Sequence, residues 1–295
     1  MKRRLKWHEL PEAVRRAVAD RAGAPLAVDD VPFGLSSHFA AVLHCPDGQR
    51  VFCKGMEDSR DARLQCRVEA AANPHVTFTS PALMWEVSAS GWQLLGFEYV
   101  SGRVADLSPG SPDLPAVART LSDAADRLTP VPEVGTLSLS KRWERFAAWD
   151  RLATQGGLDP WAADRLDQLV LWEKRGPRAV AGDTLAHCDL SKYNLLVDDG
   201  HRLHVVDWAR AGRAASWVDT AFMVMRLIGE GHTPTSAERW ARTVGVWEEV
   251  GEEDIVAFAV ATAGIRAVRA SRSDAPPHLA RLANHALSWC RHLLD

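Results

Sequence analysis

The sequence predicts an α+β fold, with a small antiparallel sheet first and a larger, mostly helical region after it. Short apolar runs separated by turn residues are concentrated in the first hundred residues. Helical spacing of apolar residues dominates after residue 115, and a stretch rich in Ser, Pro, Gly and Asp over residues 102–115 separates the two patterns. We therefore predict an N-terminal lobe over residues 1–100 and a helical C-terminal lobe over residues 101–295.

The N-terminal lobe carries two helix patterns and four strand patterns. Leu10, Val14 and Val18 recur at helical spacing, which predicts an amphipathic opening helix. Asp47-Gly48 is a hairpin signal between two apolar runs. Period-two and apolar patterns predict strands over residues 39–43, 51–54, 82–86 and 92–100, and a helix over residues 61–72.

The C-terminal lobe is predicted to be helical around one strand hairpin. Asp159 followed by Pro160 is the N-cap and first-turn pair that begins a helix. The other helices are predicted over residues 114–128, 141–152, 220–227, 236–250 and 254–270, with a last one after residue 277.

Composition limits the partners and the compartment. Charged residues make up 25% of the 295 residues and the formal net charge is −3, which gives no reason to expect a nucleic-acid or anionic-membrane partner. The five cysteines are odd in number, scattered and without a C-x-x-C pair, which argues against a disulfide framework or a zinc site. No apolar stretch is long enough to be a signal peptide or to span a bilayer, so we expect a cytoplasmic protein.

The most informative stretch is the motif that runs from His187 to Asn194. It reads H-x-D-x-x-x-x-N, with Asp189 at its third position. Further along the chain, Asp207 follows the two apolar residues Val205 and Val206. This order is typical of phosphoryl-transfer sites. In such sites one carboxylate orients an attacking hydroxyl, here Asp189. An amide and a second carboxylate, here Asn194 and Asp207, then hold Mg²⁺ on the nucleotide phosphates.

Hairpin geometry supports the pairing of the two metal ligands. Strand-like runs over residues 195–197 and 203–206 flank a turn over residues 198–201. If the loop is centred between Gly200 and His201, Asn194 and Asp207 face each other, with Cβ atoms about 4.5–5.5 Å apart. A tighter Asp199-Gly200 turn makes them diagonal neighbours about 7–8 Å apart, which is still within reach of one ion.

A phosphotransferase also needs positive charge on the phosphates. Lys54 ends the strand after the Asp-Gly turn, and Glu69 on the next helix is the natural partner to fix it. By period two, Phe52 shares a face with Lys54 and is expected to border the adenine. The competing interpretation makes Lys54 a solvated residue at the end of a strand.

Two further segments are candidates for nucleotide contact. The loop over residues 33–37 supplies backbone N–H groups, among them that of Gly34, and the hydroxyls of Ser36 and Ser37 as donors to phosphate oxygens, although it also fits a plain turn. Glu98 and Val100 precede the lobe boundary, where an adenine would meet backbone.

Two residues are expected to support the site. His187 is expected to brace the catalytic loop. Asp219 is expected to cap the helix that follows it and to support the same loop.

Taken together, these residues resemble the aminoglycoside phosphotransferase and choline kinase superfamily, small-molecule kinases that share the protein-kinase fold. The resemblance covers nearly the whole chain. It implies transfer of the γ-phosphoryl group of ATP, or of GTP in some members, to a substrate hydroxyl. Asp189 would be the base, Asn194 and Asp207 the Mg²⁺ ligands, and Lys54 with Glu69 the phosphate clamp.

The chain departs from the family pattern at two places, one of which is a nucleotide loop that is poor in glycine. Cys188 stands where the family usually has Gly. The absence of A-P-E and D-F-G segments favours the small-molecule branch over regulated protein kinases.

The acceptor is open at this point. An acidic run could receive a polycationic aminoglycoside or could be a solvated helix face, and the basic tail weakens the first interpretation. An antibiotic or another metabolite is the expected acceptor. A kinase acting on a precursor peptide and a nucleotide-binding pseudokinase scaffold are the alternatives. The acidic run consists of Glu248, Glu249, Glu252, Glu253 and Asp254, and the basic tail contains Arg266, Arg269, Arg272, Arg281 and Arg291.

Overall fold

The structure is a computed structural model that describes residues 4–31 and 37–295, so Gly34 and Ser36 lie outside the described residues. The described residues form two compact units. The first unit contains the chain up to Ala105 together with Lys192–Ala211, and the second unit contains Asp106–Ser191 and Gly212–Asp295. The hairpin that follows the H-x-D motif thus groups with the first unit, whereas the sequence placed it in the second segment.

Ten strands are present within the described ranges. They are β1 (Ala27–Asp30), β2 (Phe39–His44), β3 (Arg50–Glu57), β4 (Leu83–Ala89), β5 (Trp92–Glu98), β6 (Gly102–Val104), β7 (Thr184–Ala186), β8 (Leu195–Asp198), β9 (Leu203–Val205) and β10 (Gly212–Ala214).

Eleven α-helices occur in the same part of the chain. They are α1 (Glu12–Ala22), α2 (Arg60–Val76), α3 (Leu114–Arg127), α4 (Leu139–Trp143), α5 (Ala148–Thr154), α6 (Pro160–Ala163), α7 (Leu166–Ala179), α8 (Val218–Gly229), α9 (Pro234–Ala241), α10 (Glu252–Ala270) and α11 (Pro277–Leu294).

The first unit is built on a five-stranded antiparallel sheet in the order β1-β2-β3-β5-β4. Side chains of β3 alternate between its two faces, as period two requires. Val51 and Cys53 join the core cluster that includes Val14 of the opening helix α1 and Leu10, which precedes that helix. Phe52 packs with a cluster on the opposite face, to which α2 contributes Cys66. The predicted hairpin at Asp47-Gly48 joins β2 to β3.

A second sheet in the first unit explains why the hairpin belongs there. β8 pairs with β9 on one side and with β6 on the other, so residues 102–104 extend the hairpin into three strands. The sequence did not predict β6, because three residues inside a Ser-, Pro- and Gly-rich stretch carry no strand pattern.

The hairpin register differs by one residue from both predicted registers. Leu195 pairs with Val205, so the loop is centred on Gly200 and Asn194 faces Val206 rather than Asp207. The cause is a three-residue loop that ends with His201 in the left-handed region, at φ 62°. The carboxylate of Asp198 fixes this loop by accepting hydrogen bonds from the backbone N–H groups of residues 200 and 202.

The second unit is mostly helical, with a two-stranded sheet of β7 and β10. The prediction of one helix over residues 141–152 is wrong, since α4 and α5 are separate. The second of them begins at Ala148 because the buried carboxylate of Glu173 on α7 accepts hydrogen bonds from the N–H groups of Ala148 and Trp149. The predicted helix over residues 236–250 ends at Ala241, and a short 3-10 turn follows it.

The core of the second unit forms around α10. Phe258 on this helix is fully buried, and its ring contacts those of Trp143, Trp217, Phe222 and Trp289 at centroid distances of 5.0–6.2 Å. Asp159 caps α6 as predicted, because its side chain accepts from the N–H of Trp161. The α+β class is confirmed. Over the described ranges, no helix is long and apolar enough to cross a membrane.

Tight packing of the sheet gives a stability test. A methyl group at Gly96 on β5 would overlap the indole of Trp85 on β4. We expect Gly96→Ala to lower the free energy of unfolding by about 1–3 kcal/mol in urea denaturation. The matched control is Gly245→Ala, whose added methyl meets nothing within 4 Å. Its unfolding free energy should stay within about 0.5 kcal/mol of the wild type. Equal effects of both variants would contradict this packing.

Candidate active site

A buried ion cluster centred on Lys54 is the main feature of the first unit. The Lys54 ammonium nitrogen lies 2.7 Å from Oε2 of Glu69 and 2.6 Å from Oδ1 of Asp207. Only 14% of the Lys54 side chain and 4% of the Glu69 side chain are exposed, against 34% for Asp207. The interpretation of Lys54 as a solvated residue is therefore wrong, and strand β3, helix α2 and the end of the hairpin meet at one cation.

Electrostatics keep Lys54 charged in this environment. Burial by itself would lower the pKa of Lys54, but the carboxylates of Asp207 and Glu69 outweigh burial and raise the pKa. Burial raises the pKa of Glu69, while the Lys54 charge and a hydrogen bond from the backbone N–H of Trp208 act in the opposite direction. The resulting pKa of Glu69 is about 7, so Asp207 is the carboxylate that balances the Lys54 charge at neutral pH.

Asp207 reaches the cluster through an unusual backbone conformation. Its φ of 69° and ψ of 57° are left-handed, which is uncommon for any residue other than glycine. The chain leaves β9 at Val205, and the buried indole of Trp208 donates from Nε1 to the Val205 carbonyl at 3.2 Å. Strand pairing therefore does not control the direction of the Asp207 side chain.

Asn194 lies at the base of the same hairpin. Its backbone carbonyl accepts from the N–H of Val206 at 2.9 Å, and its side-chain Nδ2 donates to the Val206 carbonyl at 3.3 Å. The amide nitrogen is thus engaged with the hairpin, and the amide oxygen is the atom with the right chemistry for a hard cation.

The other predicted nucleotide contacts fall into two groups. Ser37 lines the same small recess as Lys54, Glu69 and Asp207, and its backbone carbonyl and hydroxyl accept from the guanidinium of Arg4. Phe52 is half-buried on the Lys54 face of β3, in a cluster with Leu95 and Phe97.

Glu98 and Val100 line a different space. They border a cavity of about 390 Å³ together with residues of the hairpin turn, and none of Lys54, Glu69 and Asp207 lines it. The side chain of Glu98 accepts from the N–H of Ala82.

The H-x-D motif belongs to the second unit, where Asp219 holds its backbone. Oδ2 of Asp219 accepts from the N–H of His187 at 2.6 Å, and Oδ1 accepts from the N–H of Cys188 at 2.9 Å. The predicted helix cap is wrong, since Trp217 is the N-cap residue of α8 and Asp219 lies in the first helical turn. His187 is fully buried, and its Nδ1 accepts from the N–H of Asp189 at 3.3 Å.

Cys188 shows why glycine is usual at its position. Its φ is 62°, a left-handed conformation that costs a residue with a Cβ roughly 1–2 kcal/mol. The two hydrogen bonds to Asp219 hold the turn in that conformation, which directs Asp189 outward with 51% of its side chain exposed. Burial raises the pKa of the Cys188 thiol to about 12, so this thiol is not a nucleophile at neutral pH.

Arg226 is a site residue that the sequence analysis did not identify. Its Nη2 lies 3.6 Å from Oδ1 of Asp189, and its Nε donates to the Leu190 carbonyl at 2.8 Å. The signal was present, because Arg226 follows Asp219 by seven residues, and two helical turns put both side chains on the face of α8 that meets the loop.

The family comparison matches most of the chain. The model of the phosphotransferase enzyme family (APH) matches residues 47–253 of the 295. No curated protein sequence matches the chain.

Solved structures share the fold at low sequence identity. An aminoglycoside phosphotransferase from Alicyclobacillus acidocaldarius has a TM-score of 0.64 at 16% identity, covering 97% of this chain and 96% of its own. The GDP complex of wild-type aminoglycoside 2'-phosphotransferase-IIIa has a TM-score of 0.63 at 14% identity, covering 92% and 96%.

A ternary complex with two ligands is also similar. A thermostable mutant of aminoglycoside phosphotransferase APH(4)-Ia with ADP and hygromycin B has a TM-score of 0.60 at 14% identity, covering 93% of this chain and 98% of its own. These likenesses confirm the protein-kinase-like α+β fold expected from the resemblance. Because the family model spans well over half of the residues, the chain belongs to the phosphotransferase enzyme family.

Proposed function

We propose that the chain is a kinase that transfers the γ-phosphoryl group of ATP to a hydroxyl group of a small molecule. The observation that carries the proposal is Lys54 held between the carboxylates of Glu69 and Asp207. A buried ion cluster of this kind is costly to form, and excellent geometry is needed to repay the desolvation of its charges. A lysine fixed in this way is suited to bind nucleotide phosphates.

The donor set near Lys54 fits a hard divalent cation. Asn194 and Asp207 offer an amide oxygen and a carboxylate, which are the oxygen ligands that a hard cation prefers. These two residues would hold Mg²⁺, which when bound neutralises charge on the nucleotide phosphates. GTP is the alternative nucleotide, since GDP is bound in one of the similar structures.

Asp189 is proposed as the base. The acceptor oxygen forms a bond to the γ-phosphorus, the bond from that phosphorus to the β-phosphate oxygen breaks, ADP leaves, and the hydroxyl proton passes to Asp189. His187 and Asp219 act as positioning residues, since they fix the backbone of the loop that carries Asp189.

The remaining assignments combine the sequence motifs with the positions of those residues that the structure describes. Ser37 lies beside the Lys54 cluster and is proposed, with Gly34 and Ser36, to donate to phosphate oxygens. Phe52 and the linker at Glu98 and Val100 are proposed for the adenine.

A cytoplasmic location is proposed from the cysteines. All five are buried and none forms a disulfide, which suits a reducing compartment.

The direct test is ADP release from Mg·ATP by the purified protein, alone and with hydroxyl compounds. Aminoglycosides, other antibiotics, choline, amino alcohols, sugars and Ser/Thr peptides form the panel. Stimulation by one small-molecule class supports the proposal and identifies the acceptor. Stimulation by peptides alone would favour a peptide kinase. Nucleotide binding without turnover on any compound would favour a pseudokinase.

Loss of the proposed base should stop turnover without affecting the binding of the nucleotide. Asp189→Ala is expected to lower kcat by at least about 100-fold, because general base action is worth about 10²–10⁴-fold. Calorimetry should show nearly unchanged Mg·ATP binding. The matched control is Asp164→Ala, an exposed carboxylate of the same unit. Unchanged turnover in Asp189→Ala would exclude Asp189 as the base.

Loss of the proposed metal ligand should weaken the binding of the nucleotide. Asp207→Ala is expected to weaken binding of ATP in the presence of Mg²⁺ by about tenfold or more, because a charged ligand is lost. Binding of ATP in excess EDTA should differ much less between the variant and the wild type. Calorimetric titrations under both conditions make the comparison. Equal weakening with and without Mg²⁺ would argue against a role in metal binding.

A further inference from the structure

The region around Asp189 in the second unit is rich in cations. Arg226 lies within ion-pair distance of the Asp189 carboxylate and is anchored by its bond to the Leu190 carbonyl. Its guanidinium is largely buried, with 14% of the side chain exposed. A carboxylate that binds a hydroxyl for phosphorylation therefore has a fixed positive charge beside it.

A second arginine, Arg266 on α10, adds to this charge. It is half-buried, and it makes no hydrogen bond or ion pair with any residue that the structure describes. Helices α8 and α10 pack together through the rings of Phe222 and Phe258, whose centroids are 5.0 Å apart. Arg226 lies about one helical turn after Phe222, and Arg266 lies about two turns after Phe258. The charges that act on Arg266 agree with this packing, since they include those of Arg226 and Asp189. Burial and the charge of Arg226 lower the pKa of Arg266 to about 9, which leaves it protonated at neutral pH.

Helix α11 contributes a histidine, His285, on which the charges of Arg266 and Arg226 also act. The ring of His285 packs against Gly229 on α8, where an added Cβ would lie 2.6 Å from Nδ1. Burial, followed by the charges of Arg266 and Arg226, lowers the pKa of His285, and Arg281 acts in the same direction. Glu230 is the carboxylate that opposes these cations at His285.

The acidic run lies at the other end of α10. Glu252, Glu253 and Asp254 form the first turn of that helix, and Glu253 is exposed and bridges to Arg175. Arg266 follows Asp254 by twelve residues, which is about 18 Å along a helix. The run is thus a solvated helix start and does not provide negative charge beside Asp189.

We propose that the acceptor is an anion, a hydroxyl compound carrying a carboxylate or phosphate group that Arg266 binds. The inference rests on the proposed kinase function and specifies its substrate class. A guanidinium forms two parallel hydrogen bonds to such a group, and Arg266 is the arginine near Asp189 that no described residue already pairs. Arg226, in contrast, is committed to the loop. A polycationic acceptor would meet like charge at the same place.

The first test compares acceptors that share one scaffold and differ in charge. ADP release from Mg·ATP is measured with glycerol, D-glycerate, glycerol 3-phosphate and 3-amino-1,2-propanediol, and with hygromycin B as a polycation. We expect stimulation by one or both anions above the neutral and cationic members, and the two anions separate carboxylate from phosphate recognition. Stimulation by the cations, or no preference among the charge classes, overturns the inference.

The second test removes the charge of Arg266. Arg266→Gln should raise the KM for the anionic acceptor by about 10- to 100-fold while kcat changes by less than about threefold. Arg266→Lys should recover part of the loss. The control is Arg178→Gln, an exposed arginine of the same unit, which should leave the KM unchanged. An unchanged KM in Arg266→Gln overturns the inference.

Nucleotide binding separates the two levels of failure. Wild-type protein that binds Mg·ATP and releases ADP with neutral or cationic hydroxyl compounds as readily as with anions retains the proposed kinase function and loses the anionic acceptor. Wild-type protein that neither binds nucleotide nor releases ADP loses both.

Discussion

The buried ion cluster of Lys54, Glu69 and Asp207 is the constraint on which the first unit depends. Each member comes from a different element, so strand β3, helix α2 and the end of the hairpin are fixed relative to one another by charge. Removing one partner of a buried ion pair typically costs about 3–5 kcal/mol, because a charge is left without compensation in the interior. The fold therefore maintains this geometry against that cost, as expected of a site whose charges are needed for chemistry.

In the second unit, hydrogen bonds to backbone hold the loop that carries Asp189, and no ion cluster is needed there. Asp219 accepts from two successive N–H groups and His187 from a third, so the loop carrying Asp189 is fixed although Asp189 itself is exposed. Left-handed backbone occurs at Cys188 in the second unit and at Asp207 in the first, where Ser90 and His201 also adopt it in loops between strands. Such conformations persist where the surroundings enforce them, and they are concentrated at functional sites.

Local sequence signals predicted the elements that local interactions determine. Asp-Gly fixed the β2–β3 hairpin, and period two put Phe52 and Lys54 on one face, with Glu69 available on the next helix. Interactions between distant residues account for what the sequence did not show. The separation of α4 from α5 depends on Glu173, which lies 25 residues after Ala148 on another helix, α7. The hairpin register depends on how one carboxylate, that of Asp198, closes the turn, and no periodicity records that choice.

The charged residues around Lys54 and around Arg266 indicate which ligands each unit favours, which neither the motifs nor the fold shows. In the first unit, the Asp207 carboxylate that contacts Lys54 and the amide oxygen of Asn194 favour a metal-bound nucleotide. In the second unit, cations exceed carboxylates around Arg266, which favours an anionic acceptor. The two sets of charged residues lie in separate compact units. Membership of the phosphotransferase family indicates phosphoryl transfer but does not identify the acceptor. The acceptor has to be inferred from the charges of the helical unit. Those charges argue against a polycation.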